Sequence, residues 1–508
     1  MHPTLIDLGL RRAGFPSLER YMSVCGLKTE DEATESLMPY ILGYELRRIH
    51  AGDTYTKIAR EKGISVRAIA VANPQFDPEA LPVGAYLVVP YPFPVVPEDT
   101  PVTWQLTHYL IRGLQARYPF LGMDVIGRSE GRRPLERICL GTGGRRVYYN
   151  GSHHANEWIT TLVLLRCVEQ YAEAAAFGKE LLGMDARALS RETKLYLVPL
   201  VNPDGVDLVN GMATAEEEAA ARSVAEHYPD IPFPEGWKAN LRGVDLNLNY
   251  PALWDQAKEV KYDLGFTTPA PRDYVGEYPL SEKESRALFD TTEALDPALV
   301  IAWHTQGQEI YWKFQDQEPE GSRLLGRQME IASGYQLEDV PYAAGFAGYK
   351  DWFIQDFRRP GYTIEAGLGD NPLPLDQMPE LVRDNLPIFL LGLSGGDPDF
   401  REEPPEPARS DLPEYRDQTD PLPQPTMPKY GEIEPPTGQI ESAPKSSVPP
   451  EEIAPADGTL VEQMEAFERA LLQRAVEAAS GNLVAAASAL GISRATIYNK
   501  VKKYRITF

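Results

Sequence analysis

Two of the seven histidines of this 508-residue chain stand at the ends of apolar, strand-like runs: His154 after RVYYNGSH and His304 after LVIAW. A strand that delivers its last residue into a cleft is a good platform for a metal ligand. Glu157 lies three residues past His154, close enough for both side chains to grip one ion where a loop turns into a helix. Two imidazoles and one carboxylate leave the fourth tetrahedral position of Zn²⁺ open to water, which is the pattern of a catalytic rather than a structural site. Alone, the run HANE carries little weight.

Around these residues, short β-rich runs (VYYNG, KLYLVPLVN, LVIAWHT, GYTIEAG) alternate with helical patterns such as 158–174 and 281–295. That alternation predicts an α/β domain over residues 102–396, a mixed β-sheet covered by helices, with functional residues where strands end. Hydrophobic residues make up 43% of the chain, enough for a large core. The three cysteines, Cys25, Cys139 and Cys167, are far apart in apolar surroundings and are expected to be buried thiols. The start of the chain lacks a basic stretch followed by an apolar one, and no apolar run reaches about 18 residues. A cytoplasmic protein with no membrane span is expected; action in the extracellular cell wall is the weaker alternative.

Five motifs follow in order: HANE at 154–157, NPDG at 202–205, RGVDLN at 242–247, HTQG at 304–307 and TIEAG at 363–367. The series resembles the zinc carboxypeptidase family, and within it the branch that cuts between γ-D-glutamate and a diamino acid in peptidoglycan stems. The resemblance implies a Zn²⁺ cofactor on His154, Glu157 and His304, with Glu365 as general base and Asp245 orienting the first zinc histidine. Arg242 is the nearest candidate for the cation that stabilises the oxyanion. Tyr342, with Tyr349 as its competitor, falls near the family's substrate-capping tyrosine. Asn247 and Leu248 fall where the family binds substrate. Carboxypeptidases proper have an arginine at position 248, and a leucine cannot clamp a terminal carboxylate. Ordinary C-terminal trimming is therefore disfavoured, and stem peptides, with carboxylates elsewhere, are favoured. Arg272, Lys350, Arg358 and Arg359 are the cations on offer for those carboxylates.

The flanks differ in kind. Residues 1–43 read as a small helical segment, over 5–12 and 31–41, that partly resembles the end of a peptidoglycan-binding module. Residues 44–91 resemble a complete βααβ LysM module, which implies binding of N-acetylglucosamine glycans and a unit that folds separately, so that residues 1–97 should be removable. Residues 397–457 are a Pro-rich acidic linker: from 398 to 456 there are 15 prolines, and 13 acidic residues against 5 Lys plus Arg.

Residues 458–508 resemble the Fis-type helix-turn-helix, an all-α tail with Phe467, Leu471 and Ala475 on one face and Ile497, Val501 and Tyr504 on another. A net charge of −24 repels nucleic acid overall. The tail supplies a local patch, with Arg494, Thr496, Asn499, Lys500 and Lys503 as expected DNA contacts and a homodimer needed to read paired half-sites. Two functions follow: a peptidase acting on muropeptides, or a muropeptide-sensing, DNA-binding regulator. An intact ligand set with a base favours the enzyme.

Overall fold

The computed structural model describes residues 2–400, together with 469–477, 479, 483, 486, 497, 501, 504 and 506. Residues 1–400 form one compact unit, and the tail belongs to a second.

Within the first 91 residues the two expected N-terminal helices and the βααβ order are present. Helices Pro3–Ala13, Leu18–Cys25 and Glu30–Leu42 precede an antiparallel pair, β1 (Tyr44–Arg48) and β2 (Tyr86–Pro90), which encloses helices Tyr55–Lys62 and Val66–Ala72. Thr54 caps the first enclosed helix by accepting from the Lys57 amide. The helix Leu18–Cys25 was not anticipated. It ends on Cys25, which is exposed rather than buried; Cys139 is half-buried and only Cys167 is fully enclosed.

The large domain is an eight-stranded mixed sheet. Its strands are β3 (Gly122–Arg128), β4 (Pro134–Leu140), β5 (Arg145–Gly151), β8 (Thr193–Val198), β9 (Leu299–His304), β10 (Glu309–Tyr311), β11 (Gln336–Glu338) and β12 (Gly361–Glu365); the short hairpin of β6 (Glu180–Leu181) and β7 (Met184–Asp185) stands apart. The order is β11-β10-β12-β9-β5-β8-β4-β3. The four central strands β12, β9, β5 and β8 run parallel, so their ends share one edge of the sheet. Residues alternate between two cores: Val147, Tyr149, Ile301 and Trp303 face helices Ile159–Phe177 and Met378–Ser394, while Tyr148, Val300 and Ala302 face helices Lys283–Leu295 and Tyr349–Phe357. Burial on both faces is why these strands read as unbroken apolar runs.

Residues 44–91 keep a core of their own, with Ile49, Tyr55, Ile58, Ile69, Leu87 and Val89, while the segments on either side of them pack onto the large domain. Leu5, Leu8, Ile41, Val95 and Val96 belong to the main core of the large domain. Glu169, on helix Ile159–Phe177, accepts from the Val95 amide (2.6 Å) and the Val96 amide (3.1 Å). Arg117 donates to the carbonyls of Gly43 and Tyr91. Gly113, on helix Trp104–Arg117, is required for this approach, since a Cβ there would lie 2.2 Å from the Leu42 carbonyl oxygen.

In the tail, Leu472, Val476, Leu483, Ala486, Ile497, Val501 and Ile506 form a core, with Ala475 and Tyr504 packed beside it. The Ile497 and Val501 stripe agrees with the sequence pattern. Leu471 does not: it is 41% exposed, because the buried face of its helix runs through Leu472 and Val476, one residue further on. Phe467 and the expected DNA contacts Arg494, Thr496, Asn499, Lys500 and Lys503 lie outside the described residues. No described helix is long and apolar enough to cross a membrane.

Candidate metal centre

β5 and β9 are parallel neighbours, so the segments leaving their ends meet. His304 is the last residue of β9, and His154 and Glu157 follow β5 in a short turn of helix, Ala155–Glu157. Their ligating atoms converge. Glu157 spans the two imidazoles, with Oε1 2.9 Å from His154 Nδ1 and Oε2 3.0 Å from His304 Nδ1. The two Nδ1 atoms are 3.2 Å apart. Two nitrogens on one tetrahedral zinc, each about 2.0–2.1 Å from it, would be separated by about 3.3 Å. The donor set therefore fits zinc in both chemistry and spacing.

The surroundings hold the three side chains in place. Asp245 Oδ1 is 3.0 Å from His154 Nε2, and Oδ2 accepts from the Asp273 amide (3.2 Å). Burial works against the ionised form of Asp245, but the His154 charge and hydrogen bond hold it below the usual carboxylate range. For His154, burial favours the neutral ring, yet Glu157 and Asp245 push it up to about 9, so a metal arriving there displaces a proton. Glu157 is held well below its ordinary value against the effect of burial, by His154 and Lys238. Burial lowers His304, with Glu157 opposing. Behind His304, His153 stacks at 5.6 Å and bonds the Tyr250 hydroxyl (3.1 Å).

Glu365 ends β12 in register with His304, and the Ala366 amide donates to the His304 carbonyl. Burial and then the neighbouring Glu157 charge push its carboxyl up to about 8. A carboxyl poised near neutrality beside two imidazoles and a second carboxylate is suited to carrying protons.

Not every expected residue is in this cluster. Arg242 is turned away: its ion pairs run to Glu282 (3.7 Å) and Glu277 (3.8 Å). The cation in the cluster is Lys238, unnoticed in the sequence, whose Nζ lies 2.7 Å from Glu157 Oε1. The turn at 240–243 explains the exchange. The Lys238 and Ala239 amides donate to the Pro271 carbonyl, and after Asn240 accepts from the Arg242 amide the chain reverses at Gly243, whose φ is +73°. Asn371, also unforeseen, donates to the Thr305 carbonyl (3.0 Å) and approaches Glu157 Oε1 at 3.4 Å.

The side-chain oxygen of Asn247 accepts from the Tyr349 amide at the start of helix Tyr349–Phe357. Leu248 is 7% exposed, in an apolar cluster with Trp254, Val275 and Phe346. Tyr342 is 46% exposed and packs edge-on against Phe346 at 5.1 Å. Tyr349 is fully buried, with its hydroxyl 2.9 Å from that of Thr292, which removes it as a mobile cap. Of the four cations on offer for substrate, Lys350 is buried on Asp351 and the Lys313 carbonyl, and Arg359 is held by Asp296 and the Pro297 carbonyl. Arg358 is exposed at a helix end. Arg272 adjoins the cluster through the 271–273 segment.

Comparison with known proteins agrees with this architecture. The zinc carboxypeptidase family model matches residues 107–388, a LysM domain model residues 48–90, and a model for bacterial regulatory proteins of the Fis family residues 463–504. Gamma-D-glutamyl-L-diamino acid endopeptidase 1 of Lysinibacillus sphaericus is 43% identical over 283 residues, 56% of this chain and 70% of that protein. The protein YqgT of Bacillus subtilis is 41% identical over 266 residues, 51% of this chain and 68% of its own length. Among solved structures, carboxypeptidase A from Helicoverpa armigera is similar at a TM-score of 0.45 and 15% identity, covering 72% of this chain and 94% of that one. With a matching family model over more than half its length and a sheet that brings the family's motifs to one edge, the chain belongs to the zinc carboxypeptidase family.

Proposed function

We propose that the chain is a zinc peptidase that hydrolyses the bond between γ-D-glutamate and a diamino acid, diaminopimelate above all, in peptidoglycan stem peptides. The observation that carries this reading is the convergence of His154, Glu157 and His304 beside Glu365, in a chain 43% identical to a gamma-D-glutamyl-L-diamino acid endopeptidase. Zinc at this position supplies Lewis acidity to water and to the scissile carbonyl. Glu365 takes a proton from the attacking water and returns it to the leaving amine, a task its raised pKa suits. Lys238, rather than Arg242, faces the oxygen on which negative charge develops. Asp245 orients His154, and Tyr342 closes over bound substrate. The apolar seat of Leu248 leaves no clamp for a terminal carboxylate there, which supports a stem peptide over an ordinary C-terminus. Weighing the products of defined muropeptides after incubation with zinc-loaded protein tests the reading. A mass gain of one water, split at γ-D-Glu–diaminopimelate, is expected and should vanish in Glu365→Gln; cleavage only of ordinary C-terminal residues would overturn it.

The LysM match supports attachment to N-acetylglucosamine glycan, and the Fis match supports a second role in DNA binding through Arg494, Thr496, Asn499, Lys500 and Lys503 of a homodimer. A tail of that kind has its target only where DNA is, which supports action in the cytoplasm. A gel shift with the full chain at low salt tests it: retardation abolished by alanine at Arg494, Lys500 and Lys503 is expected, and no retardation of any duplex would refute it.

A further inference from the structure

Beside the cluster lies a second group of charges. Asp273 binds two cations at once, Lys261 and Arg272, the latter through Nε at 2.7 Å. One carboxylate cannot neutralise both, so the triad keeps a net positive charge. Lys261 is buried, which leaves Arg272 as the accessible member, its side chain 41% exposed. With Nε occupied, Nη1 and Nη2 have no hydrogen-bond partner among the described residues. A guanidinium held by one edge, with the other edge open, presents the parallel donors that take a carboxylate in a bidentate pair.

Its position is fixed from two sides. The Pro271 carbonyl accepts from the amides of Lys238 and Ala239, and the Asp273 amide donates to Asp245, which in turn holds His154. Arg272 is thus pinned between the lysine that faces the scissile carbonyl oxygen and the aspartate behind the metal ligand. The substrate group closest to that place is the acyl residue carrying the scissile carbonyl. In an ordinary peptide this residue continues into another amide. In a γ-linked glutamate it carries a free α-carboxylate, separated from the scissile carbonyl by only three carbons.

We propose that Arg272 binds the α-carboxylate of the γ-linked D-glutamate, and so selects γ-linked over ordinary peptides. This rests on the peptidase reading above. It assigns recognition to the acyl side of the bond, where Leu248 could contribute nothing.

The test compares two stem peptides, L-Ala-γ-D-Glu-diaminopimelate and its counterpart with the D-glutamate α-carboxylate converted to an amide, on the full zinc-loaded chain. Binding is measured calorimetrically in a Glu365→Gln background and KM and kcat in the active one. The wild type should favour the free acid in KM by about 10- to 100-fold, the worth of one hydrogen-bonded pair to a charged group. Arg272→Gln should erase that preference, through a rise in KM for the free acid, and Arg272→Lys should restore part of it. A third peptide with L-lysine in place of diaminopimelate controls for the distal carboxylate, and its discrimination should not change in the variants. A wild type indifferent to amidation overturns the inference even if Arg272→Gln fails to fold. So does an Arg272→Gln protein that keeps the preference, or one that weakens both peptides equally. A wild type that cleaves none of the peptides overturns the peptidase reading and this inference with it.

Discussion

Removal of residues 1–97 should damage the peptidase itself, although this segment contains none of the cluster. The deleted part contributes Leu5, Leu8, Ile41, Val95 and Val96 to the main core. Burying such side chains is worth about 1.5–3 kcal/mol each, so the five account for about 8–15 kcal/mol over the two apposed faces. Roughly half, about 4–8 kcal/mol, belongs to the retained face that would meet water. Glu169 and Arg117 lose two backbone partners each. Whole domains are stable by about 5–15 kcal/mol, so the loss is a large share of the total. For a remaining domain of this size the melting temperature should fall by roughly 5–12 °C. Scanning calorimetry of full-length protein and residues 98–508 measures this, with hydrolysis of a glycan-free stem peptide as the functional readout. A truncated protein that melts within about 2 °C of the full chain and retains its rate would refute the reasoning.

Three further outcomes are expected. Elemental analysis should find one zinc per chain, lost in His304→Ala and Glu157→Ala, since each removes one of three protein ligands; undiminished zinc in both would dismiss the ligand set. Lys238→Ala should lower kcat about 10²- to 10³-fold while Arg242→Ala changes it little, and the reverse order in steady-state kinetics would return the oxyanion to Arg242. Burial, then the charge of Asp204, pushes Glu284 up to about 8, well above its unfolded value of about 4.3, so the folded protein holds a proton that the unfolded chain releases. Its contribution to stability is complete below about pH 4.3 and is lost as pH rises through about 8; Glu284→Gln should flatten the melting-temperature profile between pH 6 and 9, and a parallel profile would show the group is ionised in the fold.

Much of the cluster was legible because its side chains lie at or just past strand ends, and strand ends can be read from apolar runs. His154, Glu157, His304 and Glu365 each follow such a run, and the parallel register of β5, β9 and β12 brings the runs to one edge. Lys238 was illegible for the same reason Arg242 was attractive: nearness to the GVD motif counts in sequence, whereas the turn at Gly243 decides which cation points inward. The docking of the N-terminal modules was hidden too. A LysM pattern is complete in itself, and Arg117 and Glu169, which hold Gly43, Tyr91, Val95 and Val96 at its two edges, lie on helices elsewhere in the chain that look ordinary. In the tail a one-residue error in helical phase, Leu471 for Leu472, came from choosing among adjacent leucines that hydropathy does not separate.

Asp245 commits one carboxylate oxygen to His154 and the other to the backbone beside Arg272. A single side chain therefore touches both the imidazole proposed to hold metal and the segment proposed to meet substrate. Thermodynamic reciprocity then applies: whatever factor bound substrate adds to zinc affinity, bound zinc must add to substrate affinity. A substitution at Asp245 should therefore disturb metal affinity and substrate affinity together rather than either alone.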